Sequence, residues 1–415
     1  MQLKCLFPLT MAALLTATQA ENNFSITPAL HINAVVGSSS ADHPEDFAPG
    51  AHDPNRDGAF QLQSLEPSLS LRWGDYIAAF ATGSLFTDDH DDFEWEWEEA
   101  FLKLHNLPGG IELRGGRFLN RVGFHNPVHL HGWETVDMPL PHALFLGDEG
   151  LQTIGGEINF HLDTAWPTVL SFSFGSAPEH DHHHGHDDHG HGHDDHHDDH
   201  DDHGHHGNYG DLEELRLQDD FLTLGLRTRW QRNDFHAWSF ALAGGMGDNE
   251  ESGESWFALA GVEYLWRENG FEPGGRDLTW RTEVIRFSGK AHGHDDHNGH
   301  DDHNGHDDHD DHHGHDDHHG HDDDDLEARS WGLSTLLAYQ ATPHLRPFAR
   351  IDRVNSISGL DIPSWTRYSI GTTIGFTADP RTYVRLQGNF DERGHDSEQS
   401  VWLQLGFSFG GPEVR

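Results

Sequence analysis

Cysteine is all but missing from this chain. The single one, Cys5, lies ahead of an apolar stretch from Leu6 to Ala17. Lys4 gives that stretch a positive start, and Thr18-Gln19-Ala20 offers small residues for cleavage. Residues 1–20 therefore read as a secretory signal peptide. Cys5 is not beside the cleavage site, so a lipoprotein signal is not expected. Cleavage leaves residues 21–415 without a thiol, which excludes disulfides and thiolate metal sites and fits a periplasmic route. Long hydrophobic runs are absent too. No stretch after residue 20 reaches the roughly eighteen apolar residues a transmembrane helix needs, which leaves a soluble secreted protein or a β-barrel. Basic residues are few, 25 Lys and Arg against 71 Asp and Glu, for a net charge of −46. Nine Asp fall in residues 180–206 and fourteen in 292–325; setting those twenty-three aside still leaves −23. A nucleic-acid partner would want a basic face and is excluded; cations are drawn in.

What the sequence does have is alternation with a period of two. Val401, Leu403, Leu405, Phe407 and Phe409 share one face, with Gln404, Gly406 and Ser408 on the other. Leu222, Leu224, Leu226 and Trp230 oppose Thr223, Gly225, Arg227, Arg229 and Gln231. An apolar face backed by a polar, arginine-bearing one is the pattern of a strand between lipid and a wet lumen. The spacing predicts sixteen strands, at 26–36, 60–72, 76–86, 94–104, 111–119, 151–160, 168–175, 221–230, 236–245, 255–266, 278–287, 331–340, 344–353, 368–377, 382–390 and 401–409. Fourteen or eighteen remain open as alternatives. The expected fold is all-β: a transmembrane antiparallel barrel over residues 21–415, enclosing an aqueous lumen, in the outer membrane of a Gram-negative bacterium and in contact with its lipid. With the N-terminus in the periplasm, every second connection is short and the others include all the long ones, 37–59, 120–150, 176–220 and 288–330. Short periplasmic turns and long outer loops are the barrel arrangement.

Two of those loops carry twenty-seven of the forty histidines. The first tract, 180–206, holds His180, His182, His183, His184, His186, His189, His191, His193, His196, His197, His200, His203, His205 and His206. The second lies within 292–325 and holds His292, His294, His297, His300, His303, His306, His309, His312, His313, His315, His318, His319 and His321, much of it as a near-hexad Gly-His-Asp-Asp-His-Asn repeat. Neither has an apolar residue with which to bury a core, so both are expected to be disordered extracellular loops. Neutral imidazole and carboxylate together ligate Zn²⁺, Ni²⁺ and Cu²⁺. A floppy chain of such donors suits capture and release better than a fixed four-ligand site. Calcium takes oxygen ligands alone, which leaves the histidines unexplained; a merely solvated acidic loop is the plainer alternative. Zinc is the first expectation, nickel or copper the next, and no cofactor is required.

The connection 120–150 is different, rich in Trp, Phe, Leu and Pro. A partly apolar loop of this kind can fold inward and narrow the pore. His129 and His131 present two imidazoles, with His125 and Asp137 as helpers; hydrogen bonding of the loop to the wall is the competing account. Arg227, Arg229, Arg346, Arg350 and Arg385 are expected to line the lumen, either favouring anions or pairing with inward acids such as Glu283 and Asp352. Asp53-x-Asn55-x-Asp57-Gly58 opens like a calcium loop, but Ser64 stands at its twelfth position, so it reads as an ordinary turn. No nucleophile–base pair or phosphate-binding glycine loop suggests an enzyme.

Residues 98–119, Glu-Glu-Ala-Phe-Leu through Arg-Gly-Gly-Arg-Phe, followed by Gly123 and Asn126, resemble the barrel of phosphate-selective porins. His129-x-His131-x-Trp133, Val136-Asp137-x-Pro139-Leu140 and Phe145 to Leu151 resemble a narrower group, the zinc-regulated outer-membrane proteins of Gram-negative bacteria, sometimes labelled TonB-dependent receptors. The likeness is most specific over about residues 95–175. It implies expression under zinc limitation and passage of zinc into the periplasm. Such receptors carry an N-terminal plug, whereas the first strand here is expected within about six residues of the cleavage site. A plugless porin without TonB involvement is therefore expected. Porins are often trimers, and a homotrimer is one expected assembly. Three readings follow: a metal-uptake channel, a surface metal-sequestering or adhesion protein on a closed barrel, and a general or anion-selective porin.

Overall fold

The computed structural model describes residues 24–87, 92–178, 209–272, 274–291, 326–376, 381–411 and 413–414. The expected signal peptide, residues 1–20, and both histidine tracts lie outside them. Sixteen strands are present: β1 (Phe24–Ser39), β2 (Phe60–Trp73), β3 (Ile77–Thr87), β4 (Phe93–Leu107), β5 (Ile111–Leu119), β6 (Gln152–Leu162), β7 (Thr168–Ser176) and β8 (Asp219–Asn233), then β9 (His236–Asp248), β10 (Glu254–Arg267), β11 (Asp277–Ala291), β12 (Leu326–Gln340), β13 (Leu345–Val354), β14 (Trp365–Gly375), β15 (Thr382–Arg393) and β16 (Asp396–Gly410). Each pairs antiparallel with its sequence neighbours, and β1 pairs with β16 to close the barrel.

Each expected strand has its counterpart. Several run further at the long-loop end than alternation suggests: β12 begins at Leu326, five residues before the expected Trp331. The reason is physical. Apolar alternation ends where lipid ends, but the hydrogen-bond ladder continues above it, out to Ala291 opposite Leu326.

The outward faces carry the apolar residues. Leu242, Ile370 and Leu405 are each more than half exposed, as lipid-facing side chains of a barrel are. Phe24, Trp73, Tyr76, Trp230 and Phe235 are exposed near the short turns, and Phe60, Phe93 and Trp256 near the opposite ends of their strands. Aromatics in these two bands suit the water–lipid boundaries. The packed core lies inside the barrel. Helix α1 (Leu140–Leu146) buries Leu140, Leu144 and Phe145 against Phe257, Ile285 and Phe287 from the inner faces of β10 and β11. Residues 212–217, which follow the first tract and include the end of helix α2 (Tyr209–Glu214), add Leu212, Leu215 and Leu217.

Two register shifts govern what the lumen sees. On β2, Asn33 of β1 faces Ser64 while Ala34 faces Leu62, leaving Gln63 as an extra residue. On β4, Thr82 of β3 faces Glu99 and Gly83 faces Trp97, leaving Glu98 extra. A bulge moves the inward face from one residue parity to the other. Consecutive side chains Gln63 and Ser64, and Glu98 and Glu99, are thus all buried toward the interior.

Candidate functional site

The connection 120–151 crosses the lumen. Gly123 has φ +66°, and a Cβ there would overlap the Glu283 carboxylate. Its carbonyl accepts from Arg227 on β8, and the Phe124 and His125 N–H groups donate to the two oxygens of Glu283 on β11 at 2.7 and 3.2 Å. A Gly123→Ala chain is expected to lose of order 1–3 kcal/mol of loop anchoring, from αL strain and the displaced carboxylate. Limited proteolysis of the loop would register it; cleavage no faster than in the parent chain would refute it. Further along, Val136 N–H donates to Gln387 on β15 (2.8 Å), Glu134 binds Arg346 on β13 with two bonds of 2.9 Å, and Leu140 N–H lies 3.4 Å from Asp352 on β13. One loop touches walls on opposite sides of the barrel.

Those walls differ in charge. On one side the loop meets arginines. Arg350 and Arg367 bind opposite oxygens of Asp137 at 2.8 and 3.0 Å, and Gln387 and Asn389 donate to the same carboxylate at 2.7 and 3.0 Å. Asp137 is 1% exposed. Burial pushes its pKa up, but Arg350 and Arg367 outweigh that and hold it below the usual carboxylate range. Arg385 donates to the carbonyls of Thr135 and Trp133 (2.9 and 2.7 Å). Of the five arginines expected in the lumen, Arg227, Arg346, Arg350 and Arg385 thus bind the crossing loop. Arg229 lies on the same face of β8 as Arg227 and is exposed. Asp352 pairs with Arg350 at 2.9 Å, whereas Glu283 serves loop amides and lies 3.4 Å from His142.

The opposite wall is acidic and carries the imidazoles. His129 Nδ1 is 2.5 Å from Glu98 Oε2, and its Nε2 is 2.9 Å from Glu99 Oε2. His131 Nδ1 is 2.6 Å from Glu66 Oε2. His52, from the connection between β1 and β2, lies 3.6 Å from Glu149 and 3.8 Å from Glu98. Burial lowers its pKa, but Glu149, Glu98 and Glu66 overcome that and raise it to about 9.

Two groups on this side bring metal-ligand atoms within 4.8 Å of one another among the described residues: Glu66, Glu98 and His129, all buried, and His31, His131 and Glu413, partly buried. Asp137 belongs to neither, its oxygens being taken by guanidinium and amide donors. His125 belongs to neither as well. It packs between Trp133 and His142, with ring centroids at 5.2 and 5.0 Å, and its buried Nε2 makes no hydrogen bond. Burial and His142 push its pKa well below the ordinary histidine value.

Sequence reasoning reached His129 and His131 but missed their partners. The extra residue on β4 that turns both Glu98 and Glu99 inward breaks the strict alternation, and Glu66 follows a similar break. A parity change along Glu94-x-Glu96-x-Glu98-Glu99 was the available signal. From the sequence, Asp53 reads as part of a turn. It is buried and accepts from Met138 N–H (2.7 Å) and Gly50 N–H (3.1 Å), so it fastens one loop to the other. Burial and the neighbouring Asp137 raise its pKa to about 7. The two histidine tracts fall in the connections β7–β8 and β11–β12, which leave the barrel at the same end as 120–151.

No protein-family model matches the chain. A stretch of 106 residues is 32% identical to an uncharacterized protein of Aquifex aeolicus, and the match spans 26% of this chain and about a fifth (21%) of that protein. Among solved structures, the chain is similar to the anion-selective porin from Comamonas acidovorans (TM-score 0.54, 10% identity, 93% of this chain and 100% of that one). It is also similar to the outer membrane channel DcaP of Acinetobacter baumannii (TM-score 0.55, 9% identity, 94% and 99%). OmpT, an outer membrane protein of Vibrio cholerae, aligns with a TM-score of 0.51 at 7% identity over 94% of this chain and 99% of its own. At these identities the likeness is one of fold: a closed, sixteen-stranded antiparallel barrel of the porin kind.

Proposed function

We propose that this chain is an outer-membrane channel of a Gram-negative bacterium that admits divalent transition metal, zinc first and nickel or copper next. In this reading the tracts 180–206 and 292–321 gather ions at the outer mouth, and the 120–151 loop decides what passes. The observation that carries it is the acidic wall, where a loop crossing the barrel holds His129 and His131 against Glu66, Glu98 and Glu99. Imidazole and carboxylate side by side suit borderline divalent ions and repel phosphate. The zinc-regulated outer-membrane proteins that residues 95–175 resemble support the same cargo.

The arginine wall favours a second reading, an anion-selective channel, the property named for the Comamonas porin. Against it, Arg346, Arg350 and Arg367 are already paired with Glu134, Asp137, Asp352 and Asp391. The loop crossing the lumen favours a third, a closed barrel that only anchors the tracts. Planar-bilayer recording separates all three. Metal uptake predicts discrete openings with a cation-selective reversal potential in a salt gradient. Anion selectivity would sink the first reading, and a silent bilayer would leave the anchor. No TonB partner is invoked, and a homotrimer is the assembly proposed for the barrel in lipid.

A further inference from the structure

We propose that the acidic wall is a two-station zinc relay, with a first station at Glu66, Glu98 and His129, a second at His31, His131 and Glu413, and the Glu66–His131 contact as the hand-over. This rests on the reading of the chain as a metal-uptake channel.

The first station is built as ligating histidines are built. One ring nitrogen of His129 meets Glu99 at 2.9 Å, and the other oxygen of Glu99 is fixed by Leu119 N–H, also at 2.9 Å. The remaining nitrogen, Nδ1, is thereby aimed at Glu98 and Glu66. A carboxylate that holds the far nitrogen orients the ring and makes it a better ligand. A second observation points to a cation. Glu66 is 1% exposed, and its Oε1 accepts no hydrogen bond. A buried carboxylate oxygen left bare is costly, and a divalent ion between Glu66, Glu98 and His129 would satisfy it. Three protein ligands leave a fourth position open, which allows exchange where a closed site would trap the ion.

The second station starts where the first ends. Glu66 Oε2 holds His131 Nδ1 at 2.6 Å, and the His131 ring stacks on His31 with centroids 3.6 Å apart. The His31 and His131 Nε2 atoms lie 3.4 and 3.9 Å from the two oxygens of Glu413. Ser408 Oγ, 2.8 Å from His31 Nδ1, occupies that ring's other nitrogen.

Strand β2, which descends from the long-loop end, gives the order in depth. Gln63 binds the His52 carbonyl, Glu66 binds His131, and Ser70 accepts Val414 N–H. Below, Glu413 borders a cavity of about 320 Å³ that His105, Glu112 and His161 also line. Sites that bind well enough to admit an ion, yet are multiple and open enough to release it, are what conduction needs.

The test uses the full chain. Crystals soaked in zinc salt are expected to show anomalous density at the zinc edge at both stations. In proteoliposomes at limiting zinc, Glu66→Gln, which keeps the side chain's shape, is expected to slow zinc entry by roughly tenfold or more. Glu413→Gln lies outside every strand, so the barrel does not depend on it. It is expected to empty the second station and leave density at the first. Zinc entry in the parent chain without density at either station, or with Glu66→Gln unchanged, would overturn the relay and leave the channel reading standing. No zinc entry in the parent chain would overturn the channel reading itself. An effect of Glu66→Gln on melting temperature alone, with zinc density and entry retained, would mark the cluster as a structural ion-pair network and also overturn the relay.

Discussion

On the proposed uptake reading, deleting residues 180–206 and 292–321 is expected to remove most of the zinc bound in titration while leaving single-channel conductance nearly unchanged. The two effects separate because the groups responsible are separate. Twenty-seven histidines and their interleaved aspartates sit in the connections β7–β8 and β11–β12. The lumen is shaped by a different connection, 120–151, whose bonds run to β2, β4, β8, β11, β13, β14 and β15. The deletion also removes the tract carboxylates, so the field that draws cations to the mouth weakens. Electrostatic focusing of this kind changes encounter rates by about 10 to 10³ and is screened by salt. Zinc entry at limiting zinc is therefore expected to fall by roughly tenfold or more at low ionic strength, and by less at high. Calorimetric titration of the parent and deleted chains checks the stoichiometry, and bilayer recording checks the conductance. Equal zinc stoichiometry in the two chains would remove the capture role.

The fold was largely legible because a lipid-facing barrel writes its geometry as a period of two. All sixteen strands and the segregation of long from short connections follow from that single rule. Its failures are instructive. Glu98 and Gln63 are bulge residues, and strict alternation gives way at an extra residue that turns two neighbours to one face, as the parity change at Glu98-Glu99 signals. Asp53 resembled a turn residue because its partner, Met138 N–H, lies eighty-five positions away. Glu413 lies beyond the last strand, and only the folding of the tail back toward Ser70 brings it to His31. The 120–151 loop announced itself by composition, its aromatic and apolar residues needing somewhere to be buried. Where its polar groups would land depended on inward faces contributed by strands up to some 250 residues distant, such as Gln387. Asp137 shows the limit of residue type as a guide: a carboxylate near two histidines suggested a ligand, and the barrel gave it two guanidiniums.

Asp137→Ala is expected to free the middle of that loop and turn a constricted channel into a wide, noisy one, with the barrel intact. Its carboxylate is the common acceptor for Arg350, Arg367, Gln387 and Asn389, from three consecutive strands. Both ion pairs are almost wholly buried, with side chains no more than 3% exposed. Removing one partner of a buried pair costs about 3–5 kcal/mol where the charge left behind has no other partner; here Arg350 keeps Asp352 at 2.9 Å and Arg367 keeps Asp391 at 2.8 Å, so the cost falls below that range. The strands do not share that loss, because their ladder closes on itself through β1 and β16 without the loop. Loop proteolysis between Gly123 and Gly147 should accelerate, and single-channel steps should grow, while the barrel domain stays resistant to protease. A second variant isolates charge from contact. Asp137→Asn removes the carboxylate charge yet keeps an acceptor oxygen for the wall donors Gln387 and Arg350, so it should recover part of the parent conductance. If Asp137→Ala and Asp137→Asn conduct alike, the ion pairs and not the hydrogen bonds hold the latch. If Asp137→Ala conducts like the parent chain, the loop is held by its apolar seat against Phe257, Ile285 and Phe287, and the charged cluster does not set the width of the pore.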